Sequence, residues 1–417
     1  MKLSNNSKKL MQFFIKNKYI NHVKQTKQTD SIITEIYQSI IESHKYILNL
    51  NKTEKLYKVS IKKIVSSSQI SKPKNFNSNS FPNIVRNHID ELTMTEITYI
   101  FSLNERNIKI HFIVEDNNIQ HQMETYNKYV DAMIIWLHIL NQHASKNCVN
   151  TLVVYLYFTS LEKKIPNSNN LTLDEINVNT AFTSTCPKDS EIVVFRKEEW
   201  FKVFIHETFH NFALDFSDMN NVHTNNCILN IFKVNSNVNL YESYTEFWAE
   251  IINASFCSFF SLKNKNDIDE FLSNFEILIN FERTFSFFQL VKTLNFMGLT
   301  YKDLYLNTQN SHILRENLYK EKTNVLAYYV IKTILMNNYQ GFLKWCKTNN
   351  TSLLQFKKTI INQRELCKFI ENNYKTTTML NGVIKTQIFL NNINKKNNNQ
   401  NLSYVLSNLR MSICELG

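Results

Sequence analysis

Apolar residues recur along this chain in two rhythms, and the rhythms divide it. In "EITYIFSLN" Ile97, Tyr99, Phe101 and Leu103 fall on one face at every second position. "NIKIHFIVED" repeats the pattern with Ile108, Ile110, Phe112 and Val114, and the short join between the two predicts a hairpin. Ile119, Met123, Tyr126, Val130, Met133, Leu137 and Leu140 then alternate steps of four and three, which makes one helical stripe. "TLVVYLYFTS" (151–160) is apolar throughout, as a central strand buried on both faces would be. "NTAFTSTCPKDSEIVVFR" (179–196) reads as two short strands around a turn, followed by a helix beginning near Lys197–Trp200. Upstream, residues 29–49 carry Ile33, Ile36, Tyr37, Ile40, His44 and Ile47 at helical spacing. The Ser-, Asn- and Pro-rich stretch 66–82 reads as a linker. Beyond residue 235 the period is helical, with helices expected over about 240–262, 281–297 and 310–337. The segment 391–401, "NNINKKNNNQN", is of low complexity and reads as a connection. The expected organisation is an N-terminal helical extension and linker (1–82), a sheet-bearing unit (83–218), a helical unit (219–390) and a tail (391–417).

Composition narrows the class. The chain has 417 residues, 43% hydrophobic and 13% aromatic, which is enough apolar surface for a sizeable core. Four glycines and four prolines leave few tight turns, which argues against a β-sandwich and against a phosphate-cradling loop. An α+β protein fits better. The net charge of +11 comes from scattered lysines accompanied by many Asn and Ile, the signature of coding in an A+T-rich genome such as that of a large DNA virus or a protist. Nucleic acid is therefore not the favoured partner, although the basic charge leaves it open. The seven cysteines are odd in number, widely spaced and without a C-x-x-C pair, so reduced thiols are expected. The N-terminus has no secretory signal, and the apolar stretch "FWAEIINASFCSFFSL" is interrupted by Glu250 and too short to span a bilayer. The expectation is a soluble intracellular protein that binds no membrane.

The candidate chemistry sits in "FIHETFHNFALDFSD" (204–218). On a helix His206 and His210 lie one turn apart on the same face and can aim imidazole nitrogens at one ion. Glu207, beside them, can reach a water there and take its proton, so H-E-x-x-H supplies two zinc ligands and a general base. A third ligand is needed. Asp215 would sit about 140° around from His210 if the helix continued, at 100° per residue. Asp218 and His223 follow the expected helix end. "NLYESYTEFWAEIINA" (239–254) carries Glu242, Glu246 and Glu250 at steps of four. Such a stripe is often a solvated acidic face, but like charges at this spacing repel and call for a compensating cation.

The combination resembles the gluzincin branch of the zincin metallopeptidases. In that branch H-E-x-x-H is followed tens of residues later by a ligand Glu on a second helix, with another acid four residues on, often after Ala. "EFWAE" is similar to this, especially to the matching segment of lethal-factor-type toxin metalloproteases. The metzincin pattern fails, because Ala213 and Phe216 stand where its Gly and third His belong. The resemblance implies a zincin-like N-terminal lobe, with a small mixed sheet and the active-site helix, and a mainly helical C-terminal lobe. It implies zinc on His206, His210 and Glu246, with Glu207 as general base and later general acid. Glu250 would orient a ligand histidine, with Glu242 as the alternative; Glu242 and Glu246 could also exchange roles. An oxyanion-stabilising side chain is implied among Tyr241, Tyr244, His312, Tyr328 and Tyr329, with Tyr329 taken as the candidate. One strand within 179–196 would pair with an extended peptide or protein substrate. Cys186 could cap the zinc, although a buried thiol is the plainer reading. The activity implied is that of a zinc endopeptidase; the alternative is a zincin-like structural or virion-associated protein without turnover.

Overall fold

The computed structural model describes residues 1–53, 56–78, 81–395 and 400–417. Its centre is one mixed six-stranded sheet: β1 (Lys58–Lys63), β2 (Thr95–Leu103), β3 (Arg106–Val114), β4 (Thr151–Phe158), β5 (Ala181–Thr183) and β6 (Asp189–Val194), in the order β1-β2-β3-β4-β6-β5. The expected hairpin is β2–β3, closed with Leu103 opposite Arg106. Asn104 and Glu105 between them both take positive φ (48° and 65°), as a tight turn matched to strand twist requires. Helix α4 follows, after α1 (Asn5–Lys16), α2 (Lys27–Thr53) and α3 (Asn83–Leu92); it spans Met123–Asn141 and carries the chain over to β4, parallel to β3. β4 pairs in parallel with β6, and β5 returns antiparallel to form one edge of the sheet.

The apolar run in β4 is buried on both faces, as its pattern predicts. Leu152, Val154, Leu156 and Phe158 join the main core, while Tyr155 and Tyr157 face a second one. That second core is closed by Ile70, Phe76, Phe81, Val85 and Ile89. Much of the stretch expected as a linker (66–82) is thus the cover of one sheet face; residues 79–80 lie outside the described residues. On the other face the helices gather. Leu10, Phe14, Ile33, Ile36, Tyr37 and Ile40 of α1 and α2 share one continuous core with residues as distant as Leu416.

After a short helix α5 (Glu175–Val178) come α6 (Trp200–Asn211), α7 (Val222–Ile231), α8 (Leu240–Ser261), α9 (Ile268–Phe296), α10 (Gln309–Leu318) and α11 (Lys332–Asn337). α9 starts well before the expected residue 281. The helix expected over 310–337 is broken, with a π-helical turn at Leu326–Ile331 leading into α11. Residues 396–399 of the low-complexity segment lie outside the described residues. The chain beyond it is buried: Glu282 accepts hydrogen bonds from Ser412 Oγ (2.6 Å), Ile413 N (3.0 Å) and Cys414 N (2.9 Å). Among the described residues no helix is long and apolar enough to cross a membrane.

The cysteine expectation is corrected at one pair. Cys148 and Cys186 form a disulfide, 38 residues apart, while the other five are free. Spacing could not reveal it. The loop before β4 meets the β5–β6 turn through Val149 N–H to Pro187 O and Asn150 N–H to Lys188 O (2.8 Å each), and this pairing sets the two sulfurs together. A loop of this length restricts the unfolded chain by about 4 kcal/mol. Urea unfolding with and without reductant should therefore show a loss of up to about that size, and Cys148→Ser with Cys186→Ser should abolish the reductant effect.

Asp131 on α4 gives a second stability test. Burial pushes its carboxyl up to about 6, and its Oδ1 has no hydrogen-bond partner. The folded value lies above the unfolded one of about 4, so ionisation opposes folding; the penalty is absent below about pH 4 and complete above about pH 6. Asp131→Asn should raise stability by about 1–2 kcal/mol at pH 8, discounting for partial exposure, and leave it nearly unchanged at pH 4.

Candidate metal centre

Helix α6 is buried along all its twelve residues. Trp200, Phe201, Phe204, Ile205 and Phe209 enter the main core. Lys202, His206 and His210, at steps of four, form a polar row on another face. That row meets α8. Lys202 Nζ donates to Glu246 Oε1 (2.6 Å), His206 touches both Glu246 and Glu242, and His210 touches Glu242. Residues rising along α6 meet residues falling along α8, so the two helices run antiparallel and their side chains interleave.

Three atoms converge. His206 Nε2 and His210 Nε2 are 3.0 Å apart, and Glu242 Oε2 lies 3.2 Å from the first and 3.4 Å from the second. Ligand atoms about 2.0–2.1 Å from a tetrahedral zinc are separated by roughly 3.3–3.4 Å, so this triangle is close to the size such an ion needs. His206, His210 and Glu242 form a group able to hold a metal ion. The far side of each imidazole is also fixed. His206 Nδ1 lies 2.9 Å from Glu246 Oε2, and His210 Nδ1 lies 2.5 Å from Asp215 Oδ2. A carboxylate accepts Nδ1–H and leaves the Nε2 lone pair free, the tautomer a metal requires. Two such lone pairs 3.0 Å apart repel unless a proton or a metal cation lies between them.

The geometry sorts the expected residues. Glu242, not Glu246, stands with the histidine Nε2 atoms. Glu246 takes the orienting position given to Glu250, and Glu250 pairs with Lys332 (2.7 Å) instead. A ligand with an acid four residues on describes both Glu242 with Glu246 and Glu246 with Glu250; the Ala before Glu250 favoured the second pair, whereas Thr245 precedes Glu246. Asp215 was expected to face away, but α6 stops at Asn211. Ala213 takes φ 54°, Leu214 N–H bonds to Phe209 O and Ala213 N–H to His210 O, a Schellman-type reversal that folds Asp215 back onto His210. Asp218 pairs with Lys358 outside the cluster, and His223 is exposed. Tyr329 is not at the centre: its hydroxyl donates to Leu409 O (2.6 Å). Its neighbour Tyr328 is there, donating to Glu242 Oε2 (2.9 Å). Adjacent helical residues point about 100° apart, and the π-helical turn shifts that register further. Tyr241 lies edge-on to His210 (5.8 Å between rings), Tyr244 bonds to Leu354 O, and His312 is exposed beside Glu316. Cys186, in its disulfide, has no thiolate to offer.

The electrostatics follow from burial. It pushes the Glu207 carboxyl up, and no described residue donates a hydrogen bond to that carboxylate. Burial acts the same way on Glu242 and Glu246, but the charges and hydrogen bonds of the histidines, with Lys202 beside Glu246, hold both well below the usual carboxylate range. Glu207 and His206 face a cavity of only about 30 Å³, walled by Val178–Ala181, Tyr328 and Met411. The wall before β5 is tied across the cleft by Lys322 N–H to Leu173 O and Thr323 Oγ1–H to Asn179 Oδ1 (2.8 Å each).

No family model, curated protein or solved structure matches the chain.

Metal content separates the two glutamates. His206→Ala, His210→Ala and Glu242→Ala should each remove stoichiometric zinc, measured by elemental analysis after dialysis. Glu246→Ala should weaken binding by about 10–100-fold while still filling at excess zinc, as loss of an outer partner does. Zinc retained by Glu242→Ala and lost from Glu246→Ala would reverse the assignment.

Proposed function

We propose that the protein is a zinc-dependent metallopeptidase that hydrolyses peptide bonds, with the zinc held by His206, His210 and Glu242. One observation carries the reading: two Nε2 atoms and a carboxylate oxygen converge within 3.0–3.4 Å, while a separate carboxylate fixes each imidazole from behind. Zinc in this position supplies a Lewis acid that polarises a carbonyl and acidifies water near neutral pH. The remaining roles belong to the chain. Glu207 faces the same cavity as His206 and has its carboxylate free, so it takes the proton of the attacking water and returns it to the departing amine. Tyr328 can turn its hydroxyl from Glu242 toward the oxygen that gains charge as the carbonyl is attacked. Asp215 and Glu246 keep the imidazoles in place. β5, at the sheet edge, offers backbone groups for an extended substrate. A zincin-like division into a sheet lobe and a helical lobe is supported by the order hairpin, helix, strand, edge strand, active-site helix, and a gluzincin kinship by the Glu242–Glu246 spacing.

A second reading has its own support. A cavity of about 30 Å³ admits water and no peptide, which suits a metal centre retained for structure without turnover. On the peptidase reading, Val178–Ala181 must draw back from Tyr328 and Met411 for a substrate to enter.

Cleavage of a degenerate fluorogenic peptide mixture by zinc-loaded protein tests the choice. Glu207→Gln should cut turnover by about 10²–10⁴-fold, the scale of a lost general base, while zinc content stays unchanged. Tyr328→Phe should lower kcat by up to about 10²–10³-fold with little effect on KM. Fully zinc-loaded wild type that cleaves nothing would leave the second reading.

A further inference from the structure

Lys202 is neither a ligand nor a base, yet it belongs to the same row of α6 as the histidines. It stands four residues before His206, and its side chain is about 2% exposed. Its Nζ donates to Glu246 Oε1 at 2.6 Å, and the other oxygen of that carboxylate lies 2.9 Å from His206 Nδ1. Glu246 is about 1% exposed, so water cannot take over either partner's role. The carboxylate is therefore held at both ends, by an ammonium on one oxygen and an imidazole on the other. Burying such a pair is weak evidence for stability, because desolvation offsets much of the attraction. It does fix a geometry.

We propose that Lys202 is a positioning residue of the metal centre: by pinning Glu246 it holds the Nδ1–H of His206 and aims the Nε2 lone pair at the point shared with His210 and Glu242. The inference rests on the metal-centre reading above. Without Lys202, Glu246 Oε1 has no donor and the carboxylate is free to rotate off Nδ1. The contacts left to the His206 ring, with Glu242 and His210 at Nε2 and with Tyr328 at its face, do not hold the Nδ1 proton. Asp215 makes the equivalent contact with His210 but has no buried lysine behind it; Ser217 N–H and Oγ–H of the adjoining turn, at 3.2 Å and 2.9 Å, donate to its other oxygen instead. The two imidazoles are thus steadied in different ways, one by a local turn and one by a lysine reaching from the ligand helix itself.

The test is zinc affinity, by competition with a chromophoric chelator, and the visible spectrum of the cobalt-substituted protein. Neither requires turnover. Lys202→Met should weaken zinc binding by about 10–100-fold and alter the cobalt spectrum, Glu246→Gln should do the same, and the double variant should be no weaker than the worse single one. Lys202→Arg, which keeps the charge and the donors, should recover most of the affinity. If Lys202→Met does not fold, Lys202→Gln, which removes the charge and keeps a donor, carries the test: its cobalt spectrum should differ from wild type. Wild type that binds zinc together with a Lys202 variant of unchanged affinity and spectrum would overturn the positioning role and leave the metal centre standing. Wild type that binds no metal would overturn both.

Discussion

The structure turns on one constraint: a row of basic side chains on α6 faces a row of carboxylates on α8, and both rows are cut off from water. Such groups are tolerated inside a protein only when each finds a partner of opposite charge or a hydrogen bond of good geometry. Here every rung is paired, Lys202 with Glu246, His206 with Glu246 and Glu242, His210 with Glu242 and Asp215. The pairing sets the relative height of the two helices, because a slip by one turn would leave a charge unmatched at either end. The aromatic and aliphatic residues on their other faces then pack around a register the polar face has already specified.

What was legible from the sequence follows from this arrangement. His206, Glu207 and His210 could be read because their geometry is local to one helix, and the hairpin and the buried strand β4 because alternation and continuous apolarity are local too. What decides between Glu242 and Glu246 is the height of α8 against α6, which no spacing within α8 encodes. Asp215 was misplaced because the helix stops at a left-handed alanine, where a glycine would have announced the stop. Tyr328 and Tyr329 are neighbours in the chain, and only the π-helical turn beneath them determines which reaches Glu242. The Cys148–Cys186 bond joins two loops that meet only once the sheet is built. Each miss is a tertiary fact.

The same holds for the large-scale organisation. Low-complexity and polar composition marked 66–82 and 391–417 as peripheral, yet Ile70, Phe76 and Phe81 close one sheet face, and Met411 walls the cavity at His206. The reason is the sheet itself. Parallel strands with both faces apolar need a cover on each side, and on the second face helix α3 covers the sheet together with Ile70, Phe76 and Phe81. The final segment is drawn inward by two acidic side chains: Glu282 holds Ser412, Ile413 and Cys414, and Glu199, just before α6, accepts from Met411 N (3.0 Å) and Ser412 N (2.6 Å). The start of the histidine helix and the last residues of the chain are therefore one packed unit.

Charge balance bears on the dication proposed between these helices. Around the two imidazoles lie the carboxyl groups of Glu207, Asp215, Glu242, Glu246 and Glu250, all buried, against the ammonium groups of Lys202 and Lys332. Five acids and two lysines would leave a formal charge of −3 if all were ionised and the histidines neutral, but burial favours the neutral form of Glu207 and Glu250 and so reduces that excess. Protonating both histidines would offset most of it, and their surroundings do favour the charged form. But two imidazolium rings whose Nε2 atoms stand 3.0 Å apart would aim like charges at each other in a medium that screens them poorly. One proton shared between the two nitrogens relieves that clash, and on the proposed reading a single divalent cation at the same point would relieve it too, taking both lone pairs and leaving both Nδ1–H groups on their carboxylates. On the metal reading proposed above, the carboxylates that flank the histidines would keep the two Nδ1–H groups in place while an ion took the Nε2 lone pairs.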